Sequence, residues 1–128
     1  MKKVFKRNKL VLLVLVLLFI LSDLFMGFEG RSKICPYIDT EFSNNFSEKK
    51  FNQISKGMHY VEVKAILGEP LIFTSKRISS VQPNNALFIS VYSKDGKCMW
   101  ADFAWRSFDI YFNNDTVVID KHSQWWYD

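Results

Sequence analysis

The sequence predicts an α+β chain: an N-terminal membrane helix, then two short helices packed on one face of an antiparallel sheet of three to four strands. Three observations carry this. An unbroken apolar run, Leu10 to Leu21, follows a basic start. Two short helical stretches, each closed by a glycine, lie between Ser47 and Gly68. From Ala86 onward, strand-forming residues alternate between turn signals. Helices grouped ahead of such strands imply a helix layer on one side of the sheet. The 128 residues then divide into 1–28, a signal-anchor or transmembrane segment; 29–46, a linker; and 47–128, one α+β domain.

The first nine residues, MKKVFKRNK, hold five of the seventeen Lys and Arg. The part after Phe28 carries twelve bases and twelve acids and is neutral. The basic pI therefore belongs to the N-terminal tail. The folded part offers no clustered Lys and Arg for nucleic acid. The basic start with its apolar run has the form of an export signal. Leu10–Phe28 supplies nineteen residues, enough to cross a bilayer at about 1.5 Å per residue, so an uncleaved anchor is the first reading. Five cytoplasmic bases would orient it with the rest outside. A cleaved signal is the second, although SDLFMGFEG offers no small-residue cleavage pattern. The implied locations are the inner membrane, single-pass with a periplasmic C-terminal domain, or the periplasm after cleavage. No cysteine follows a small residue in a lipidation pattern, because Lys33-Ile34 precede Cys35.

Cys35 and Cys98 both fall on the exported side, where a disulfide is permitted. Two independent thiols are the alternative, since spacing does not fix a Cα separation. Arg31–Phe46 is polar and reads as linker. Ser47 is a good N-cap for a helix running to about Ser55, with Phe51 and Ile54 on one face and Gly57 at its end. The second helix covers Tyr60–Leu67. Glu62 stands where it can reach back to the amide of His59, and Met58 can staple onto Val63. Gly68 stops the helix and Pro70 forbids its continuation. Val63, Ile66 and Leu67 form its apolar stripe. His59 occupies a cap position that Ser, Thr, Asp or Asn would fill better. Two turns of helix are not stable alone, so the stripe needs a large apolar surface.

The strands supply it. Leu71–Ser75 is short and extended, and Thr74–Asn85 reads as a loop. Ala86–Tyr92 is a strand with Leu87, Ile89 and Val91 on one face. Asp95-Gly96 has the signature of a tight hairpin turn, with Cys98–Trp105 returning. Phe108, Ile110 and Phe112 alternate, Asn113-Asn114-Asp115 turns, and Thr116–Asp120 is the last strand, with Val117 and Ile119 on one face.

The string Phe51-x-x-Ile54-x-x-Gly57-Met58, Glu62-Val63, Ile66-Leu67-Gly68-Glu69-Pro70, followed by FDIYFNNDTVVID, resembles the SmpA/OmlA family of BamE-like small envelope proteins over about Ser47–Asp120. The resemblance implies two short helices on a three-stranded antiparallel sheet, and a non-catalytic domain that binds other envelope proteins, in support of envelope or outer-membrane assembly. Typical members are lipoproteins with Thr or Ser at the cap, and this chain departs from both. The helix–sheet unit also resembles β-lactamase-inhibitor-like proteins, which implies an inhibitor or immunity-type binder as the alternative.

No catalytic set emerges. Glu62 and Glu69 are explained by capping and turn roles. Asp120, His122 and Ser123 lie on one extended strand, where neighbours point to opposite faces. Two histidines without further spacing do not make a metal site. Neither a cofactor nor a small-molecule substrate is expected. The aromatics are the surplus. Trp100, Phe103, Trp105, Phe108 and Phe112 read as sheet core. Trp125, Trp126 and Tyr127 are candidates for partner binding, because adjacent residues of an extended segment cannot both face inward. A strand extension over the sheet edge, or contact with the lipid surface, are the other readings of that tail.

Overall fold

The computed structural model describes residues 2–26, 30–75, 82–98 and 103–127. Trp100, part of the 74–85 loop, part of the strand expected from Cys98, and the junction of the 10–28 and 29–46 segments lie outside them. In chain order the elements are α1 (Lys2–Met26), β1 (Thr40–Phe42), α2 (Glu48–Gln53), α3 (Tyr60–Leu67), β2 (Ile72–Thr74), β3 (Phe88–Val91), β4 (Ser93–Asp95), β5 (Trp105–Phe112) and β6 (Val118–Trp126).

Two features of the predicted architecture are corrected. First, α1 is not a membrane span: among the described residues, no helix is long and apolar enough to cross a membrane. The reason is length. Lys9 and Ser22 bracket an unbroken apolar run of twelve residues, about 18 Å of helix against a hydrocarbon core of about 30 Å. Second, the single sheet of three to four strands is replaced by six strands in two antiparallel sheets, β1-β4 and β2-β3-β5-β6. The additional strands come from the stretch read as linker and from the stretch read as a hairpin turn. Thr40–Phe42 pairs with Ser93–Asp95, joining pieces more than fifty residues apart, which no local pattern announces.

Asp39 explains why that stretch is ordered. It is fully buried, and its carboxylate accepts from the amides of Cys98 (2.7 Å) and Phe103 (3.0 Å). A buried carboxylate needs such donors. The amide of Gly96 donates to the Asp39 carbonyl, and a Cβ on Gly96 would stand 3.3 Å from that backbone. Gly96 therefore serves a close approach of two segments, not a hairpin turn.

The two short helices lie on one face of the four-stranded sheet, here called the helix face. Ser47 caps α2 by accepting from the Lys50 amide at 3.3 Å, and Phe51 and Ile54 are buried. Glu62 accepts from the His59 amide at 2.7 Å. His59 itself is held extended by an isolated bridge to Val117, with the flanking amides of Tyr60 and Val118 donating to Thr116 and Met58. Val63 and Leu67 are fully buried against Tyr92, Phe108, Ile110, Phe112 and Val118. The α3 stripe thus rests on β5 and the start of β6, as an eight-residue helix must rest on something.

Strand β5, WRSFDIYF, is the spine. Its side chains alternate with period two. Phe108, Ile110 and Phe112 enter the helix-face core, while Trp105, Ser107, Asp109 and Tyr111 point to the opposite, outer face. Strand β3 splits likewise. Ile89 is buried on the outer face with Ala86 and Tyr111, while Leu87, expected to share that face, is exposed. The last strand is longer than predicted. Pairing with β5 continues from Val118 to Trp126 through a bulge at Tyr111/Phe112.

Candidate functional site

The tail residues singled out in the sequence sit at the end of β6, and the strand's alternation sends them apart. Trp125 goes to the helix face. Its indole stacks on Tyr37 (centroids 5.8 Å apart, planes at 8°) and lies under the guanidinium groups of Arg31 (5.2 Å) and Arg106 (5.7 Å). Trp126 goes to the outer face. Tyr127 follows the strand and is 51% exposed.

Around Trp125 the helix face closes into a hydrogen-bonded cluster centred on Arg106. Arg106 donates to Glu48 Oε1 (2.8 Å), the Tyr37 hydroxyl (3.0 Å) and Ser123 Oγ (3.0 Å), and lies 4.8 Å from the Phe108 ring. The Tyr37 hydroxyl in turn donates to Glu48. Burial, then the Glu48 carboxylate, raises the Tyr37 phenol above its usual value. A planar cation between rings and a carboxylate uses both sides of its chemistry. It ties the stretch before β1 and the start of α2 to β5 and β6.

The outer face is different. Register places Trp105 directly opposite Trp126, and their indoles stack at 6.1 Å with planes at 20°. Beside them opens a cavity of about 250 Å³, with Ile89 and Val91 of β3 on its other side. Among the described residues, Asp109 is the only ionisable one lining it. Its carboxyl is pushed up to about 6 by burial, opposed by the Ser107 hydroxyl that donates to it. His122 is its cross-strand neighbour on β6. Among the described residues, no Lys or Arg forms an ion pair with Asp109. Aromatic walls around one carboxyl make a surface suited to binding.

The other residues singled out lie elsewhere. Gly57, Met58, Glu62, Val63, Leu67, Gly68 and Pro70 frame α3 on the helix face. Gly57 donates its amide to Val118, Met58 packs against the core, and the Gly68 carbonyl accepts from the Tyr92 hydroxyl at 3.3 Å. Cys35 and Cys98 are free thiols in this structure, Cys35 exposed and Cys98 half-buried. The Cys98 amide donates to the Asp39 carboxylate. Among the described residues, no three His, Cys, Asp or Glu side chains converge on a metal position.

Sequence reasoning missed Trp105, Ser107 and Asp109 as a surface, and Arg106 with Glu48 and Tyr37 as a clasp. The signal for the first was present. Once Phe108, Ile110 and Phe112 are read as one face of a strand, the residues between them necessarily form the other. The clasp joins elements 58 and 69 positions apart and left no local trace. No family model matches the chain, and no curated protein matches it.

Proposed function

We propose that this chain is a non-catalytic protein-binding module of the bacterial envelope, of the SmpA/OmlA (BamE-like) kind, and that it binds through the outer face of its four-stranded sheet. The single observation that carries the reading is the cavity between the stacked Trp105–Trp126 pair and β3, with Tyr127 exposed just past the end of β6. Trp and Tyr in such positions dominate protein–protein hot spots, because they bury much area at little entropic cost. The Gly57-Met58 and Gly68-x-Pro70 frame around α3, with that helix on one sheet face, supports the family reading. The basic, apolar N-terminus supports export, with the folded part in the periplasm beside other envelope proteins.

Photo-crosslinking from single positions tests this. A crosslinker at Tyr127 or Trp126 is expected to capture a discrete envelope protein in living cells. The same group at Val61, 75% exposed on α3, is expected to capture none. Equal capture from both faces, or none from Tyr127 and Trp126, overturns the reading.

A further inference from the structure

We infer that the outer-face cavity receives one arginine side chain from the partner protein, its guanidinium directed at Asp109 and its stem laid along the Trp105–Trp126 wall. The inference rests on the reading of this face as the binding surface and adds what the surface recognises.

Three observations lead there. The first is size. Cavities for drug-sized ligands run to roughly 300–1,000 Å³; this one, at about 250 Å³, has room for a single long side chain. The second is the lining. Ile89, Val91 and two indoles present apolar and aromatic surface, and among the described lining residues the one ionisable group is a carboxylate at 7% exposure. A guest matching both must combine a long apolar stem with a positive head. Tryptophan faces are the strongest aromatic partners for such cations. Arginine suits the site better than lysine, because its planar, weakly hydrated head stacks on indole and pairs with a carboxylate through two parallel hydrogen bonds.

The third observation is internal to the chain. One residue away on β5 and pointing the other way, Arg106 lies against Phe108 and Trp125 while bonding to Glu48. On the helix face the combination of indole, carboxylate and guanidinium is completed within one chain. On the outer face Trp105, Trp126 and Asp109 repeat the first two components. Charge complementarity therefore names the third, and names a polypeptide as its source, since the site accepts one side chain and flanking contacts must come from the surface around it.

The test uses the full-length chain with its tryptophan indole N–H groups isotopically labelled. The probes are N-acetyl-arginine methylamide and its citrulline counterpart, which has the same shape with a neutral urea. The arginine probe is expected to move the Trp105 and Trp126 resonances and leave Trp125, on the opposite face, in place. Its affinity should exceed that of the citrulline probe by about tenfold, the scale of one charge-assisted contact. Asp109→Asn should remove that preference. Equal affinities for the two probes overturn the assignment on the unaltered chain, whatever the variant does. So does the absence of any shift at Trp105 and Trp126. Crosslinking from Tyr127 that persists while the arginine preference is missing would sink this inference alone. Lost crosslinking with the preference intact would sink the binding-surface reading instead.

Discussion

The two faces of the four-stranded sheet are built from the same strands and end in opposite states. On the helix face, α2, α3 and the stretch before β1 cover the sheet. Phe108 sits at the centre, with Phe46 and Phe51 each 5.0 Å away, and the Arg106 guanidinium donates to Glu48, Tyr37 and Ser123. On the outer face, Ile89 and Tyr111 are buried, but next to them Trp105, Trp126 and Asp109 border an open cavity. The contrast teaches that one alternating strand can build a closed core on one side and border an open cavity on the other, with no residue doing both. It also predicts that substitutions on β5 and β6 will separate cleanly into those that unfold the chain and those that do not.

The largest expected effect is on the helix face. Phe108→Ala should lower stability by about 3–5 kcal/mol, the range for a buried phenylalanine, whereas Trp126→Ala, 38% exposed on the other face, should cost about 1 kcal/mol or less. Urea unfolding of the two variants checks this, and similar losses would erase the distinction. Next is Gly68, at φ 82°, ψ −167°, where an added Cβ would come within 2.8 Å of the Asn44 carbonyl. Gly68→Ala should cost about 2–3 kcal/mol from backbone strain and the forced shift, and thermal denaturation reads it directly.

Asp109 sharpens the comparison from the other side. Folding raises its carboxyl from the ordinary 3.8 to about 6, so the folded chain takes up a proton within that window. Stability is then highest below about pH 4 and falls as pH rises to about 6, above which the full penalty of a buried charge applies. Of the groups facing it, Ser93, Ser107 and the indoles carry no charge, and His122 lies across on β6. Asp109→Asn should therefore raise stability by about 1–2 kcal/mol at about pH 8 and change little at about pH 3.5. A recognition face that costs stability when empty is the expected signature, and a variant that is less stable at both pH values would remove it. The smallest effect is local. His59→Thr should add a few tenths to about 1 kcal/mol by supplying the side-chain oxygen that the α3 cap calls for. A loss there would mean that the bridge between His59 and Val117 depends on the imidazole.

Helices α2 and α3 were legible because their determinants are local: Ser47, Phe51, Ile54, Glu62 and Gly68 each act within a few positions of where they stand. The sequence shows only the start of strand β6, because KHSQWW has no apolar alternation. Its outward side chains are His122 and Gln124, and its inward ones include Lys121 and Ser123, which bond to the α2 carbonyls and to Arg106. Polar residues that end in specific partners look like loop until the partners are known. The β1–β4 pair and the burial of Asp39 are set by contacts across the chain, so nothing in their own neighbourhood identifies them. The N-terminal span was read too generously, by counting Ser22 to Phe28 with a run that is unbroken only to Leu21. At the site, Trp126 was visible and Asp109 was not, because a lone aspartate in an apolar strand acquires meaning only when its face is known.

Strand β5 sets a rule for how this gene can change. Paired on both edges and bulged at a single point against β6, the strand accepts replacements one residue at a time. Inserting or deleting a single codon between Trp105 and Phe112 would exchange inside for outside along the remaining strand, driving Asp109 into the phenylalanine cluster or expelling Phe108 to water. Length variation among descendants of this sequence should therefore fall in its connecting segments, and any drift in the proposed binding face should be written at alternate positions of that one strand.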